Sequence, residues 1–461
     1  MSSPVDPTPL RPTPSMDPPL VTDADTKKKE IRRVVLSSYL GSTIEYYDFL
    51  LYATAAAIVF APVFFSDLTP VAGTIASLGT FAAGYLARPL GGIIFGHFGD
   101  RYGRKSMLLV SMTVMGSASF LIGLVPPASA IGSWAAIILV LLRVSQGIAI
   151  GGEWGGATLM SLEHVGGRGR GFAAAFTNAG APTGSLLGTI ALAIVAVLPE
   201  EDFLLWGWRI PFLLSAVLLA LGLFIRSRVS ESPVFKEALA RRTERDSATV
   251  PVTPPPPPLM SILRRPKNVV LVAGGCMASV AIQIMFATFA IGYATRSGAT
   301  RSDVLIGFAI CQFIAIFALL GFARLSDRIG RRPVMLAGLA GFAVFVVPIL
   351  SMLSSGNVVL VALAFVLGFS VFQSATFGPM AAYIAEQFGT SARYTGASLG
   401  YQAATLLGAG FTPVILVSLQ AATDGSTGLV AAYMIALAVV SSVFIVLTKE
   451  SKDRDLATYQ H

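Results

Sequence analysis

Twelve long apolar runs dominate this 461-residue chain and constrain its fold more than any other feature. Each run has about the 20 residues that an α-helix needs to cross the hydrocarbon core of a bilayer. Charged residues make up 13% of the chain, about half the share found in soluble domains. The sequence therefore predicts an all-α integral membrane protein with twelve transmembrane helices. The runs start near Val34, Val71, Met107, Ile131, Gly171, Leu204, Asn268, Ser302, Pro333, Asn357, Thr395 and Ser426.

The positions of the basic residues predict how these helices are oriented. Arg88 and Arg143 fall within spans, and Arg209, Arg296 and Arg301 fall in loops that would lie outside the cell. All other Lys and Arg residues lie in the tails and in the alternate loops, which is typical of cytosolic segments. We therefore expect both termini to be cytosolic and the protein to be multi-pass in the plasma or inner membrane. This topology accounts for the net charge of +8 without a nucleic-acid partner.

A long polar and proline-rich stretch between the sixth and seventh runs divides the chain into two halves. The predicted organisation is a disordered cytosolic tail at 1–33, a six-helix half at 34–228 and a cytosolic central loop at 229–266. A second six-helix half follows at 267–449, and a short cytosolic tail at 450–461.

The two halves repeat each other in sequence. Residues 99–105 read GDRYGRK after span 2, and residues 326–332 read SDRIGRR after span 8. Glu163 and Glu386 end spans 4 and 10 in the same way. Six-helix repeats related in this way build one large class of transporters, whose substrate site lies between the repeats near the middle of the membrane.

Several motifs resemble those of the major facilitator superfamily. Residues 96–105 resemble its signature loop, although the second copy has Ala323 where the leading glycine is expected. Residues 143–147 resemble the fourth-helix motif of its proton-coupled members. More specific motifs resemble the metabolite:proton symporter family. They are EYYDF at 45–49, ARPLGG at 87–92, WGWRIPF at 206–212 and ESPVF at 231–235.

This resemblance implies the major facilitator fold and proton-coupled symport of a small metabolite by alternating access. Family members carry organic acids such as α-ketoglutarate, citrate and shikimate, or the zwitterions proline and betaine. We expect an organic acid, with a zwitterion as the alternative. No enzyme activity and no cofactor are expected, since the proton gradient supplies the energy. The expected partners are the substrate, protons and the lipid bilayer, and the protein is expected to be a monomer. An uncoupled facilitator is a further alternative, although a channel needs a more continuous polar lining.

Ionisable residues inside the spans are the strongest candidates for function, because charges in hydrocarbon are costly and usually face a cavity. At about 1.5 Å per residue, Glu45, Asp48 and Arg143 lie near the middle of the membrane. By the same estimate, Arg88 and Glu153 form a second tier closer to the cytosol. We predict that Glu45, Asp48, Arg143 and Glu153 carry proton coupling.

The coupling hypothesis rests on how a carboxylate responds to an arginine. A carboxylate beside an arginine stays charged, whereas one that is desolvated and unpaired favours its protonated form. A substrate that binds the arginine would release the acid to take up a proton. The alternative is a permanent ion pair that only fastens span 1 to span 4.

Polar residues on the spans supply the candidates for substrate binding. Each could instead join helices by hydrogen bonds, which is common in membranes. The candidates are Tyr47, Arg88, Arg143, Trp154, Asn178, Gln283, Gln373, Tyr401 and Gln402.

The repeated loop motifs predict a cytosolic gate. An aspartate stabilises the N-terminus of a helix through the helix dipole. In an outward-facing state, Asp327 should therefore lie at the start of span 5 near Gly171, and Asp100 at the start of span 11 near Thr395. Arg331 should pair with Glu386. The full set of predicted gate residues is Asp100, Arg101, Arg104, Glu163, Arg170, Asp327, Arg328, Arg331, Glu386 and Arg393.

Overall fold

The computed structural model describes residues 21–102, 104–151, 170–227, 266–389 and 393–452. These residues are almost entirely helical, and no strand occurs among them. The helices form twelve spans in two groups of six, as the sequence predicts. Eleven spans are long and apolar enough to cross a membrane by composition alone. The other is span 1, whose mean hydropathy is lowered by its polar residues, including Glu45 and Asp48.

The first half consists of spans 1 to 6. Short helices at Phe60–Phe64 and Ala128–Ile131 follow spans 1 and 3. Spans 1 to 4 are Val21–Ile58, Pro70–Tyr102, Arg104–Leu124 and Trp134–Gly151. Span 5 joins Arg170–Asn178 to Gly180–Val195, and span 6 joins Glu200–Asp202, the π-helical turn Phe203–Gly207 and Arg209–Ser227.

The second half contains three further π-helical turns, at Phe286–Ala290, Val366–Gln373 and Leu406–Gly410. They interrupt spans 7, 10 and 11. Span 7 is Lys267–Met285 and Ile291–Arg296, span 8 is Arg301–Ile329, and span 9 is Arg331–Leu353. Span 10 is Val358–Phe365 and Ser374–Glu386, span 11 is Arg393–Thr405 and Thr412–Ala421, and span 12 is Gly428–Leu447.

The helix of span 1 begins at Val21, ahead of the start near Val34 that the apolar pattern indicates. Residues 23–33 place aspartates first and then lysine, glutamate and arginine. This order suits a helix, because acids are favoured at its N-terminus and these long side chains have good helix propensity. Since the spans alternate in direction, span 1 begins and span 12 ends at one end of the bundle. We call this the terminal end and the other the opposite end.

Spans 2 and 4 approach each other so closely that glycine is required at the contact. A Cβ atom on Gly91 would overlap the backbone carbonyl of Ile148, and one on Gly147 would overlap that of Gly84. Small residues allow this kind of backbone approach between membrane helices. The contact holds Arg88 and Arg143, on spans 2 and 4, at fixed relative positions.

The Gly91→Ala variant is expected to unfold at lower temperature than the wild type. The added methyl group meets backbone atoms, which cannot rotate away, and overpacking of this kind costs about 1 to 3 kcal/mol. Gly79→Ala on the same span is the matched control, since its Cβ would have no neighbouring atom within 4 Å. Thermal unfolding of both variants in detergent checks this. Equal midpoints would show that spans 2 and 4 can separate without penalty.

Candidate functional site

The 45–49 motif places two carboxylates on one face of span 1. Asp48 is 2% exposed, and Glu45, one helical turn earlier, is partly exposed. Both border a cavity of about 10 Å³ beside Met112 and Met115 of span 3. A cavity of this size is close to the minimum for one water molecule.

Arg143 is fully buried on span 4 among aromatic rings. Its guanidinium carbon lies 4.2 Å from the ring centroid of Phe49, 4.1 Å from that of Tyr52 and 4.6 Å from that of Phe81. Such cation–π contacts are stronger in a desolvated site than at a surface. The rings therefore offset part of the cost of burying this charge.

A chain of neutral side chains links Arg143 to Asp48. Arg143 Nη1 donates to Gln146 Oε1 at 2.9 Å, and Gln146 Nε2 donates to Ser119 Oγ at 2.7 Å. The Ser119 hydroxyl lies near the Asp48 carboxylate. Ser215 of span 6 donates to Asp48 Oδ1. A change at the guanidinium can thus reach the carboxylate through two side chains.

Asp48 and Arg143 do not form the permanent ion pair considered as the alternative. Within the described part of the chain, the Asp48 carboxylate accepts a hydrogen bond from the Ser215 hydroxyl and is not paired with a basic group. The reason is the direction of the side chains. Asp48 faces spans 3 and 6, whereas Arg143 lies against span 2, where a Cβ on Gly84 would come within 2.8 Å of its Nε.

Arg88 on span 2 is 5% exposed and shares an aromatic ring with Arg143. Its guanidinium carbon lies 4.5 Å from the Phe49 centroid and 4.1 Å from the Tyr85 centroid. The Phe49 ring therefore contacts both guanidinium groups. Because the ring follows Asp48 directly in span 1, movement of this segment acts on both arginines.

Several buried donors at this site have no hydrogen-bond partner among the described residues. They are Nε of Arg88 and both Nε and Nη2 of Arg143. An unsatisfied buried polar group costs about 1 to 3 kcal/mol, and more when it is charged. Asn178 Nδ2 and Gln373 Nε2 are also unpartnered donors. Such a set of donors suits a ligand rich in hydrogen-bond acceptors, such as a carboxylate.

Polar contacts join the two halves near this site. Tyr46 and Tyr401 lie with their hydroxyl oxygens 3.1 Å apart, and Gln402 Nε2 donates to the carbonyl of Gly151 at 3.3 Å. On the other side of the interface, Gln312 Nε2 donates to Ser185 Oγ at 2.6 Å. Tyr401 and Gln402 thus lie between the halves, as a residue that contacts a substrate should.

The remaining predicted site residues fall into three groups. Tyr47 lies within the first half, where its hydroxyl donates to the Pro211 carbonyl at 2.8 Å. Gln283 is buried on span 7. The side chains of the others lie outside the described residues. They are Asp100, Arg101, Arg104, Glu153, Trp154, Glu163, Arg170 and Arg393.

At the terminal end, Asp327 of span 8 binds the start of span 5. Its two carboxylate oxygens accept from the backbone N–H groups of Gly171 at 3.0 Å and Phe172 at 3.1 Å. The position predicted for Asp327 from the repeat is therefore confirmed. The contact fastens the two halves together, because span 5 belongs to the first and span 8 to the second.

Asp327 also belongs to a buried cluster of ion pairs with Arg331 and Glu386. Arg331 Nη1 lies 2.6 Å from Asp327 Oδ1, and Arg331 Nη2 lies 3.2 Å from Glu386 Oε1. The predicted pairing of Arg331 with Glu386 is thus observed. Arg331 is 1% exposed and Glu386 is fully buried, so solvent screens these interactions little. Arg328, also predicted here, offers its backbone carbonyl to Lys452 Nζ at 2.9 Å.

The segment after span 12 closes this cluster. Glu450 accepts from the backbone N–H groups of Arg331 and Arg332 at 3.0 Å each, and so caps span 9. Burial alone would raise the pKa of Glu450, but its backbone hydrogen bonds outweigh that effect and hold the pKa below the usual range. Ser451 donates to Glu386 Oε2 at 2.8 Å. The segment after span 12 therefore packs against the residues of the predicted gate.

Comparison with known proteins identifies the family. The sequence profile of the Major Facilitator Superfamily matches this chain in two overlapping regions, residues 39–413 and 298–458. The chain belongs to the major facilitator superfamily. The twelve-helix architecture and the repeated halves are those of this superfamily, whose members are transporters and not enzymes.

The similar curated proteins are metabolite transporters. The shikimate transporter of Escherichia coli (strain K12) is 36% identical over 428 residues, covering 91% of this chain and 95% of that protein. An inner membrane metabolite transport protein of the same organism is 36% identical over 434 residues, covering 92% and 95%. The proline/betaine transporter of Salmonella typhimurium (strain LT2) is 31% identical over 432 residues, covering 93% and 85%. This protein is therefore a multi-pass membrane transporter of metabolites.

Solved structures agree on the fold. The proton:xylose symporter XylE bound to 6-bromo-6-deoxy-D-glucose superposes with a TM-score of 0.73 at 17% identity, covering 94% of this chain and 98% of that one. XylE from E. coli in a partially occluded inward open conformation gives a TM-score of 0.71 at 18% identity, with coverage of 93% and 100%. At this level of identity the likeness concerns the major facilitator fold alone.

In this transporter, Asp327→Asn is expected to open the terminal end more often. The amide loses the charge that the span 5 N-terminus and Arg331 stabilise. A loss of about 1 kcal/mol corresponds to about a fivefold shift in population. Ala385→Cys is a suitable reporter, because Ala385 is buried with Ala174 of span 5 and Ala381 beneath the gate. Its labelling rate by a reagent added on the side of the terminal end should rise in the Asp327→Asn background.

The control is Asp303→Asn, which makes the same chemical change at the opposite end of span 8. Asp303 is partly exposed, and its contacts are local to the helix start. This variant should leave the labelling rate unchanged. Unchanged labelling in Asp327→Asn, with transport intact, would remove the support for a gate at this contact.

Sequence reasoning missed the neutral residues that connect the charged ones. Gln146 follows Arg143 by three residues, and this helical spacing could have identified it. Ser119 and Ser215 carry no such signal, since serine is common in membrane spans. Glu450 and Ser451 could have been found from the repeat, because the same Glu-Ser pair follows span 6 at residues 231–232.

Proposed function

We propose that this transporter carries a small organic acid together with protons by alternating access. The observation that carries this proposal is the buried Arg143, whose Nε and Nη2 have no hydrogen-bond partner among the described residues. Its third nitrogen, Nη1, donates to Gln146, which donates to Ser119 near Asp48. A carboxylate can accept two hydrogen bonds from one guanidinium. Arg88, whose Nε is also unpartnered, is the second candidate for this contact.

Charge balance supports coupling to protons. Glu45, Asp48 and Glu153 oppose Arg88 and Arg143, so the five groups carry one net negative charge when all are ionised. Binding of an anion adds more negative charge to a poorly solvated region, and uptake of a proton offsets it. Asp48 is our choice for the proton acceptor, because it is buried and its hydrogen bond comes from the neutral hydroxyl of Ser215.

The relay gives this coupling a route. Arg143 donates to Gln146, Gln146 donates to Ser119, and Ser119 lies near Asp48. A substrate that draws the guanidinium toward itself weakens the first bond and frees the others to rotate. The charged form of Asp48 then loses a hydrogen-bond donor that stabilised it. This loss favours the protonated form. Glu45, beside the same water-sized cavity, is the neighbouring group through which a proton could arrive.

We further propose that the terminal end faces the cytosol of the inner membrane. The excess of Lys and Arg in the tails and alternate loops supports this orientation. The name of the similar E. coli inner membrane transport protein supports the location. In this orientation the Asp327 contact closes the cytosolic side. The working unit in this proposal is the monomer, with the substrate between its two halves.

A thermal-shift panel on purified protein tests the substrate class. Shikimate, citrate, α-ketoglutarate, proline and betaine should be compared, and a carboxylate without a cationic group should stabilise the protein most. Proteoliposomes should then accumulate that compound only under an inward proton gradient. Stabilisation by proline or betaine alone would select the zwitterion alternative, and accumulation without regard to the gradient would select an uncoupled facilitator.

A further inference from the structure

A cleft at the opposite end lies between the two halves and outside the site described above. Its volume is about 470 Å³, within the range of small-molecule sites. One wall consists of the ends of spans 1 and 2, including Ala57, Phe65 and Thr74. The other consists of the ends of spans 7 and 8, including Arg296 and Arg301.

The charge of this cleft is positive. Among the described residues that line it, the charged ones are Arg296 and Arg301. Span 2 begins in the cleft at Pro70, so the positive end of a 33-residue helix adds to the same field. Asp67 is exposed and does not line the cleft. An anion is therefore favoured over a cation here.

Both arginines can bind a ligand at low cost. Arg296 has no hydrogen-bond or ion-pair partner among the described residues. Arg301 Nη2 lies 3.1 Å from Glu200 Oε1, but that glutamate is 74% exposed. An exposed ion pair contributes about 1 kcal/mol or less, so a carboxylate can replace Glu200. The centroid of the Phe203 ring lies 4.4 Å from the Arg301 guanidinium carbon, and this contact holds the arginine in position when a ligand replaces Glu200.

The position of the cleft connects it with the buried site. Ala57 lies nine residues beyond Asp48 on span 1, a rise of about 14 Å. Thr54, between them, donates to the backbone carbonyl of Ala287 on span 7. This contact separates the cleft from the interior and joins the two halves. A ligand held in the cleft thus lies on the path that separation of spans 1 and 7 would open.

We propose that this cleft is an outer binding site for a small carboxylate with an apolar body. Arg296 and Arg301 bind the carboxylate, and side chains such as Ala57, Phe65 and Leu68 contact the apolar part. The site receives the anion before it reaches Arg143. The choice of a carboxylate as the anion rests on the proposed function. The positive charge of the cleft comes from Arg296 and Arg301 and does not depend on that function.

Cysteine labelling tests the site without any transport measurement. Thr74→Cys places a thiol on the wall of the cleft, and Ala422→Cys places one in the exposed loop after span 11 at the same end. The native Cys276 and Cys311 are buried and give little background. The probes are two methanethiosulfonates, one bearing a sulfonate and one bearing a trimethylammonium group.

At each position we compare the labelling rate with the sulfonate reagent to that with the trimethylammonium reagent. This ratio should be about fivefold higher at position 74 than at position 422. A fivefold change corresponds to about 1 kcal/mol of attraction between the anionic reagent and a partly exposed arginine. Adding Arg296→Gln should bring the ratio at position 74 close to that at position 422. Equal ratios at the two positions in the otherwise unchanged protein would overturn the proposal.

Protection experiments identify the ligand class. Benzoate, succinate or citrate, added at constant ionic strength, should slow sulfonate labelling at position 74 and lose this effect in the Arg296→Gln background. Protection by inorganic phosphate alone, or by none of these anions, would overturn the assignment to a carboxylate. Protection at position 74, together with a wild-type thermal shift in Arg143→Lys and no thermal shift in Arg296→Gln, would instead contradict the proposed inner site and leave the outer site standing.

Discussion

Asp48→Asn is expected to abolish uphill accumulation of substrate and to leave exchange of substrate across the membrane measurable. The amide fits the space of the carboxylate and can still contact Ser119 and Ser215, but it cannot take up a proton. With a gradient of about one pH unit, coupling to one proton supports about tenfold accumulation. In this variant the internal and external concentrations should become equal. Proteoliposomes loaded with substrate measure both activities.

Two further variants make this prediction specific. Asp303→Asn has the same chemical change at the surface and should accumulate substrate like the wild type. Glu45→Gln tests whether the second carboxylate of span 1 is the acceptor. Uphill accumulation that survives in both Asp48→Asn and Glu45→Gln would contradict the assignment of the proton to span 1.

Arg143→Lys is expected to weaken substrate binding by about 10- to 100-fold, although the positive charge remains. The guanidinium uses Nη1 for Gln146 and keeps Nε and Nη2 for a ligand. A lysine ammonium is a point charge and cannot make both contacts in this geometry. The loss of a two-pronged contact with a charged group is worth about 1.5 to 3 kcal/mol. Ligand-induced thermal shifts or exchange kinetics give the affinity.

Arg324→Lys is the matched control for this substitution. Arg324 is exposed on span 8, and its guanidinium carbon lies 5.7 Å from the Phe172 ring. Affinity should not change in this variant. Wild-type affinity in Arg143→Lys would show that Arg143 does not hold a carboxylate through two N–H groups, and would remove the main support for the proposed site.

The depth of the charged residues could be predicted from sequence, whereas their contacts could not. A helix rises by a fixed amount per residue, so Asp48 and Arg143 had to lie at similar levels. The apolar pattern does not tell how each helix is rotated against its neighbours when nearly every face is apolar. The direction of Arg143 toward span 2, and of Asp48 toward spans 3 and 6, therefore came only from the structure.

The contacts at the terminal end were more predictable, because the repeat supplies long-range information. Two copies of one motif must occupy equivalent places in two similar halves, and this placed Asp327 at span 5 and Arg331 beside Glu386. Single polar residues have no such partner in sequence. Tyr47, predicted to face the substrate, instead binds Pro211 inside the first half.

The π-helical turns imply that the two halves differ in mechanical compliance. Such a turn breaks the regular ladder of backbone hydrogen bonds, and helices bend most readily at these points. Three of the four described turns lie in the second half, in spans 7, 10 and 11. Spans 2 to 4 contain none among their described residues. The first half, which holds Asp48, Arg88 and Arg143, is therefore the stiffer body, and the second half supplies most of the elastic deformation when the molecule changes shape.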